Sequence, residues 1–273
     1  MTDRSNKHPL KKFSQNFLTN VYYQQEIVKQ LQIAPDDVIV EIGPGQGALT
    51  KHLLAAKPRR LIVVEIDERW VRLLKDTFGA AVEIIHADIL QIDLTSLSDD
   101  ERRIKVIGNL PYHITSPILF HLIDAHRSIE RAVLMTQKEV ARRISAEPGG
   151  KDYGILSVIS RVYARVEYLF EIKRGNFFPA PNVDSAVLAL NFFREIPDLD
   201  DSELALLRKI VRGTFNYRRK TLRNSLSRIF DKAFVYSLDS TILAKRPEQL
   251  TVEDFKKLCK IFKQGYFHDS HSR

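Results

Sequence analysis

Short β-branched runs alternate with stretches of helical periodicity through the first two thirds of the chain, and this alternation restricts the fold more than any other feature of the sequence. A strand, a helix and a second strand make a crossover unit, and crossovers build parallel sheets with helices on both faces. Val38–Ile42, Leu61–Ile66, Val82–His86, Ile104–Ile107 and Ala132–Met135 are predicted strands. Helices are expected over Val21–Gln32, Ala48–Ala56, Glu68–Thr77, Pro117–Ala125, Gln137–Ser145 and Ile155–Val162. Tyr168–Ile172 and Ser185–Phe193 read as two further strands, and their direct succession suits an antiparallel pair at the sheet edge. A doubly wound α/β domain follows.

At 273 residues the chain exceeds what one hydrophobic core comfortably serves, so a second, smaller domain is expected. After Ile196 and Pro197 comes an acidic turn, Asp198 to Asp201, and from there only helical spacing remains. Leu204, Leu207, Ile210, Val211 and Phe215 share one face, and helices are predicted near Arg219–Phe230, Ser240–Ala244 and Val252–Phe262. The expected domains are therefore 1–197 and 198–273, the second all-helical. Charge shifts at the same place. Residues 1–12 carry four basic side chains against one acidic, residues 13–197 carry 22 against 23, and residues 198–273 carry 16 against 10. A near-neutral body with basic ends suits a polyanion such as RNA, since Lys and Arg neutralise phosphates; solubility alone is the plainer alternative. Apolar runs such as Leu61–Val64 are far shorter than the ~20 residues a membrane helix needs, and the polar, basic start lacks the apolar core of a secretory signal. A cytoplasmic protein without a membrane partner is expected. The single cysteine, Cys259, cannot form an internal disulfide and reads as a core residue of a late helix.

The first chemical motif, Glu41-Ile42-Gly43-Pro44-Gly45-Gln46-Gly47-Ala48, lies where the first predicted strand of the sheet turns into a helix. Gly43, Gly45 and Ala48 satisfy G-x-G-x-x-G/A, and Glu65 follows at the end of the next strand, placed to accept from ribose hydroxyls. Both NAD and S-adenosylmethionine fit that pair. Asp88, after the third strand, can accept from an adenine amine or simply cap a turn. After the fourth strand comes Asn109-Leu110-Pro111-Tyr112. An exocyclic aromatic amine is a poor nucleophile until its hydrogens are held so that its lone pair leaves the ring. The Asn109 side-chain oxygen and the Leu110 carbonyl, held by rigid Pro111, can take the two N–H groups while Tyr112 stacks on the base. A plain strand-ending turn is the other reading of these four residues.

Taken in order, Phe13-Ser14-Gln15-Asn16-Phe17-Leu18, Glu41-Ile42-Gly43-Pro44-Gly45, Glu65-Ile66-Asp67, Asn109-Leu110-Pro111-Tyr112 and Phe177-Phe178-Pro179-Ala180-Pro181-Asn182-Val183-Asp184-Ser185-Ala186-Val187 resemble the KsgA (RsmA) family of bacterial 16S rRNA adenine dimethyltransferases. Phe215-Asn216-Tyr217-Arg218-Arg219-Lys220-Thr221-Leu222-Arg223-Asn224-Ser225-Leu226 extends the resemblance over nearly the whole chain. It implies a Rossmann-like class I methyltransferase domain, S-adenosylmethionine as cofactor, and two adjacent adenosines in a hairpin near the 3′ end of 16S rRNA as substrate, within an assembling small subunit. By the same resemblance Asn16 and Leu18 contact the cofactor, Gly43 makes the methionine-side turn, Glu65 holds the ribose, Asp88 the adenine, and Asn109 lies where cofactor and target meet. Phe177 is the implied stacking partner opposite Tyr112 for an extruded base. Arg218, Arg219, Lys220 and Arg223 are the implied phosphate contacts, with a solvated helix face as the alternative. Ser14 stands where many members have glycine. His113 replaces a frequent Asn and reads as structural or RNA-facing, because an amine that turns acidic as it attacks a sulfonium methyl needs no base. No His or Cys spacing suggests a metal. The competing functions are a large-subunit rRNA dimethyltransferase of the macrolide-resistance type, an NAD-dependent oxidoreductase, and a non-catalytic ribosome-assembly factor.

Overall fold

The structure, a computed structural model, describes residues 16–98, 102–196 and 198–268; Phe13, Ser14 and Gln15 of the first motif lie outside these residues. In chain order the first unit contains β1 (Phe17–Leu18), α1 (Val21–Gln30), β2 (Val38–Ile42), α2 (Thr50–Ala55), β3 (Arg60–Glu65), α3 (Glu68–Phe78), β4 (Glu83–His86), β5 (Ile104–Asn109), α4 (Thr115–Asp124) and β6 (Ile129–Gln137). Then come α5 (Lys138–Ser145), α6 (Ile155–Tyr163), β7 (Ala164–Ile172), β8 (Phe177–Phe178) and β9 (Ser185–Phe192).

Seven strands form one sheet in the order β4-β3-β2-β5-β6-β9-β7. All described pairings are parallel except those of β9, which runs antiparallel to both β6 and β7. The last strand of the sheet therefore slots inside it, and β7 takes the edge. There β7 starts at Ala164, four residues before the expected Tyr168, and its register shifts between Tyr168 and Phe170, which an edge tolerates because only one side is paired. Every residue of β2 is buried, as expected of a central parallel strand covered on both faces. Strand order reverses at β2, flanked by β3 and β5, and in such sheets ligands bind beyond the carboxyl ends at that reversal.

Local chemistry explains the helix starts. The Asn20 side chain accepts from the Tyr22 N–H to cap α1, and Asp67 accepts from Arg69 to cap α3, whose Trp70, Val71 and Leu74 turn one apolar face inward. A feature absent from the sequence reading is the two-stranded β1–β8 sheet, with Leu18 opposite Phe177 and Phe17 opposite Phe178.

The chain divides into two compact units, one taking residues up to Arg142 with Ala164–Arg194, the other Arg143–Tyr163 with Glu195 onward. The expected division at 197 and 198 thus leaves out residues 143–163. Their place in the second unit has a physical cause: the Tyr153 hydroxyl donates to the Leu250 carbonyl at 2.8 Å, its ring meets Phe215 edge-on, and Arg208 Nε donates to the Tyr163 hydroxyl at 2.9 Å. The second unit is helical: α7 (Asp201–Phe215), α8 (Leu222–Leu226), α9 (Lys232–Ser237), α10 (Ser240–Ala244) and α11 (Val252–His268). A capping box of Asp200 and Glu203 starts α7 and buries the predicted Leu204, Leu207, Ile210 and Val211. The helix expected over Arg219–Phe230 shrinks to α8, because Tyr217–Lys220 closes a tight turn before it; α9 was not foreseen. Cys259 is buried on α11, where its thiol donates to the Glu203 carbonyl and burial raises its pKa to about 11, so it is an inert core group.

Candidate active site

Four loops after β2, β3, β4 and β5, together with the segment at Asn16–Leu18, enclose a cavity of about 290 Å³ in the first unit, near the lower end of the range for small-ligand clefts. Three glycines in the turn after β2 have positive φ: Gly43 at 63°, Gly45 at 53° and Gly47 at 78°. At Gly45 the reason is also steric, since a Cβ would sit 2.7 Å from the Phe17 ring, which itself packs edge-on against Trp70. Phe17 thereby clamps the N-terminal segment over the turn. Nothing lies within 4 Å of a Cβ built on Gly43, so that backbone opens onto the cavity.

Glu65 joins the two loops. Its Oε2 accepts from the Gly45 N–H at 3.1 Å and its Oε1 from the Asp67 N–H at 2.9 Å, while burial raises its pKa above the usual carboxylate range. Asp88 lines the same cavity and also caps the turn after β4, accepting from the Leu90 N–H at 3.0 Å. The capping reading of Asp88 is thus observed, and the same bond shapes the loop that presents the side chain at the cavity. Asn16, Leu18 and Gly43 line the cavity too. The Leu18 carbonyl is held by Gln24 Nε2 at 2.7 Å.

The loop after β5 is the most defined part. Asn109 Nδ2 donates to the Asn16 carbonyl at 2.9 Å, and an amide oxygen in that place would meet another oxygen. The contact therefore turns Oδ1 away from Asn16 as an acceptor. The Leu110 N–H continues the sheet to the Met135 carbonyl at 2.9 Å, while the Leu110 carbonyl accepts no hydrogen bond among the described residues. Pro111 is held by Thr115 Oγ1, which bonds its carbonyl at 3.3 Å and Thr136 Oγ1 at 3.0 Å in a buried tie to β6. The Tyr112 hydroxyl meets Ser185 Oγ at 2.9 Å, and burial keeps its pKa above the ordinary phenol value. Tyr112 is therefore a neutral, oriented ring at physiological pH and not a base. His113 is exposed beside it.

Two expected assignments change. Phe177 does not line the cavity opposite Tyr112; it is 4% exposed and packs in the core with Leu18, while its neighbour Phe178 is 65% exposed. Side chains alternate along a strand, so pairing β8 with β1 sends one ring inward and the other outward. Arg218 is no free cation: Nε donates to Glu248 at 2.7 Å, Nη1 to the Lys151 carbonyl at 2.6 Å and Nη2 to the Gly150 carbonyl at 2.9 Å. It pins the 150s loop within the second unit. Arg219, Lys220 and Arg223 are exposed, Arg223 lying over the Tyr236 ring. Glu41, to which the motif alone gives no role, lines the cavity at 1% exposure, with Thr50 Oγ1 donating to it at 2.6 Å. Its signal was a lone acid in an otherwise apolar central strand.

A glycine turn after β2 and two acids, Glu65 and Asp88, at the ends of the next two strands, in this strand order, define a class I S-adenosylmethionine-dependent methyltransferase. Among the described residues the cavity is lined by Glu41, Glu65 and Asp88 and by no lysine or arginine, which fits a cationic sulfonium cofactor. The profile of the family described as ribosomal RNA adenine dimethylase matches residues 6–264. The chain belongs to that family. It is 40% identical over 262 residues to the ribosomal RNA small subunit methyltransferase A of Latilactobacillus sakei, covering 91% of this chain and 88% of the relative. With the protein of that name from Chlorobium phaeobacteroides it shares 43% over 250 residues, covering 92% of each. Among solved structures it is similar to the 23S rRNA methyltransferase ErmE, with a TM-score of 0.67 at 27% identity over 90% of this chain and 100% of the other. A dimethyladenosine transferase from Plasmodium falciparum shares the fold, with a TM-score of 0.78 at 24% identity over 91% of this chain and 98% of that one. Among the described residues no helix is long and apolar enough to cross a membrane, and no group of three His, Cys, Asp or Glu side chains could hold a metal.

Proposed function

We propose that this chain dimethylates the exocyclic amines of two adjacent adenosines in a hairpin near the 3′ end of 16S rRNA, working in the cytoplasm on an assembling small ribosomal subunit. S-adenosylmethionine supplies a methyl group already activated on a sulfonium. Asn16, Leu18, Gly43, Glu65 and Asp88 hold it. The orientation of Asn109 carries the reading: with Nδ2 held by the Asn16 carbonyl, Oδ1 is an acceptor for one amine hydrogen, and the Leu110 carbonyl is an acceptor for the other. Two acceptors so placed turn the nitrogen lone pair out of conjugation, and the rate comes from positioning, not from a base. Tyr112, fixed by Ser185, supports the base by stacking, with Phe178 in place of Phe177 as the exposed second aromatic. Small-subunit specificity is favoured over the macrolide-resistance type because identity is 40% and 43% to the small-subunit relatives but 27% to ErmE. Arg219, Lys220 and Arg223 supply phosphate contacts from the helical unit. The test is single-turnover methylation: Asn109→Ala should slow transfer on the order of a hundredfold with RNA affinity nearly unchanged. A normal rate would move the target amine elsewhere.

A further inference from the structure

The cofactor cavity has an unusual charge balance. Glu41 and Glu65 are 1% and 5% exposed, Asp88 shares their cavity, and among the described residues no salt bridge reaches Glu41. The titratable groups that share the cavity with Glu41 are Glu65 on β3, Asp88 after β4, and Tyr112 and exposed His113 after β5. The two buried carboxylates are not equivalent. Glu65 accepts two backbone N–H bonds, which favour its anion, whereas among the described residues Glu41 has only the Thr50 hydroxyl, at 2.6 Å. A hydroxyl can donate to a carboxylate or turn and accept from a carboxylic acid, so Thr50 serves either protonation state.

We propose that Glu41 holds a proton in the cofactor-free protein and releases it when S-adenosylmethionine enters, making Glu41 the residue that distinguishes the sulfonium cofactor from its thioether product. Burial, with repulsion from Glu65, pushes the Glu41 pKa up to about 8. The cofactor carries one positive charge more than S-adenosylhomocysteine. Its arrival supplies the cation that Glu41 lacks, and the carboxyl proton leaves to solvent. When the methyl departs the sulfur becomes neutral, and Glu41 takes a proton back from solvent. The ligand amino and carboxylate groups are common to both molecules, so any difference between them isolates the sulfonium. This inference rests on the cofactor and reaction assigned above.

The test is calorimetry on the full cofactor-free chain at pH 7 in buffers of different ionisation enthalpy. Binding of S-adenosylmethionine should release about 0.9 proton per site and S-adenosylhomocysteine close to none. The apparent Kd for S-adenosylmethionine should fall by up to about tenfold between pH 6.5 and 7.5 while that of the product stays flat. Glu41→Gln, which copies the neutral acid, should abolish the release. Should that variant not fold, infrared difference spectra of the parent decide: a protonated carboxyl band should vanish with S-adenosylmethionine and persist with product. Equal proton counts for the two ligands, undiminished release from Glu41→Gln, or no carboxyl band to lose would overturn the inference alone. Absence of any S-adenosylmethionine binding would overturn the cofactor assignment as well.

Discussion

Gly108 sits on β5 directly beside Ile42 of β2, across the strand reversal where the cavity opens. A methyl group there would lie 2.9 Å from the Ile42 carbonyl oxygen, 3.1 Å from its Cβ and 3.2 Å from Leu110 Cδ2. The first contact is backbone, so no side chain can swing away, and Gly108→Ala must separate the two strands. Overpacking of this kind costs about 1–3 kcal/mol, enough to lower Tm by roughly 3–10 °C. The larger effect falls on chemistry. Asn109 is the next residue, and a misplacement approaching ~1 Å at the reacting atoms costs on the order of a hundredfold in rate. Gly79→Ala is the matched control: its φ of 54° makes alanine costly by about 1–2 kcal/mol, but its Cβ meets nothing within 4 Å and it lies outside the cavity. Thermal denaturation and single-turnover methylation of both variants should show similar losses of stability and a rate loss in Gly108→Ala alone. A Gly108→Ala protein with normal rate would refute the claim that β2 and β5 position the amine acceptors.

Because its folded pKa lies near 8 and its unfolded value near 4.5, Glu41 stabilises the fold most at low pH, and this contribution is lost as pH rises through that window. Between pH 5 and 7 the loss should reach up to about 3 kcal/mol, and denaturant titrations of Glu41→Gln should show that slope flattened. Arg218→Ala should destabilise the helical unit by roughly 2–3 kcal/mol through loss of the Glu248 ion pair and two carbonyl bonds, seen as an earlier denaturation midpoint. Arg219→Ala with Lys220→Ala should leave stability alone but lower the salt slope of RNA binding by about 1.4–1.8, read from affinities at several salt concentrations.

The residues around the cavity were legible because they stand at strand ends, and strand ends are what the alternation of apolar runs marks best. Glu65, Asp88 and Asn109 each lie within two residues of the end of a predicted strand, so the parallel order alone brings them together. Phe177 and Phe178 were not separable, since in a two-residue strand the face each ring takes depends on the partner, β1, which carries no periodicity of its own. Arg218 was indistinguishable from Arg219 for a related reason: a charge run says nothing about which member meets Glu248 and the carbonyls of Gly150 and Lys151. The same distance in sequence hid the membership of residues 143–163, whose Tyr153 and Tyr163 find their partners in the helical unit.

On this reading the chain moves methyl groups from S-adenosylmethionine to two neighbouring adenosines of small-subunit rRNA. The direct measurement is to incubate it with methyl-labelled S-adenosylmethionine and unmodified small subunits or 16S rRNA, then map the label by nucleotide and count methyl groups by mass. Dimethylated adenine is expected at two adjacent positions of one hairpin near the 3′ end, with label appearing on the order of a hundredfold more slowly when Asn109→Ala replaces the parent under single-turnover conditions. Label on large-subunit rRNA, on a nucleotide other than adenosine, or on no RNA at all would contradict it.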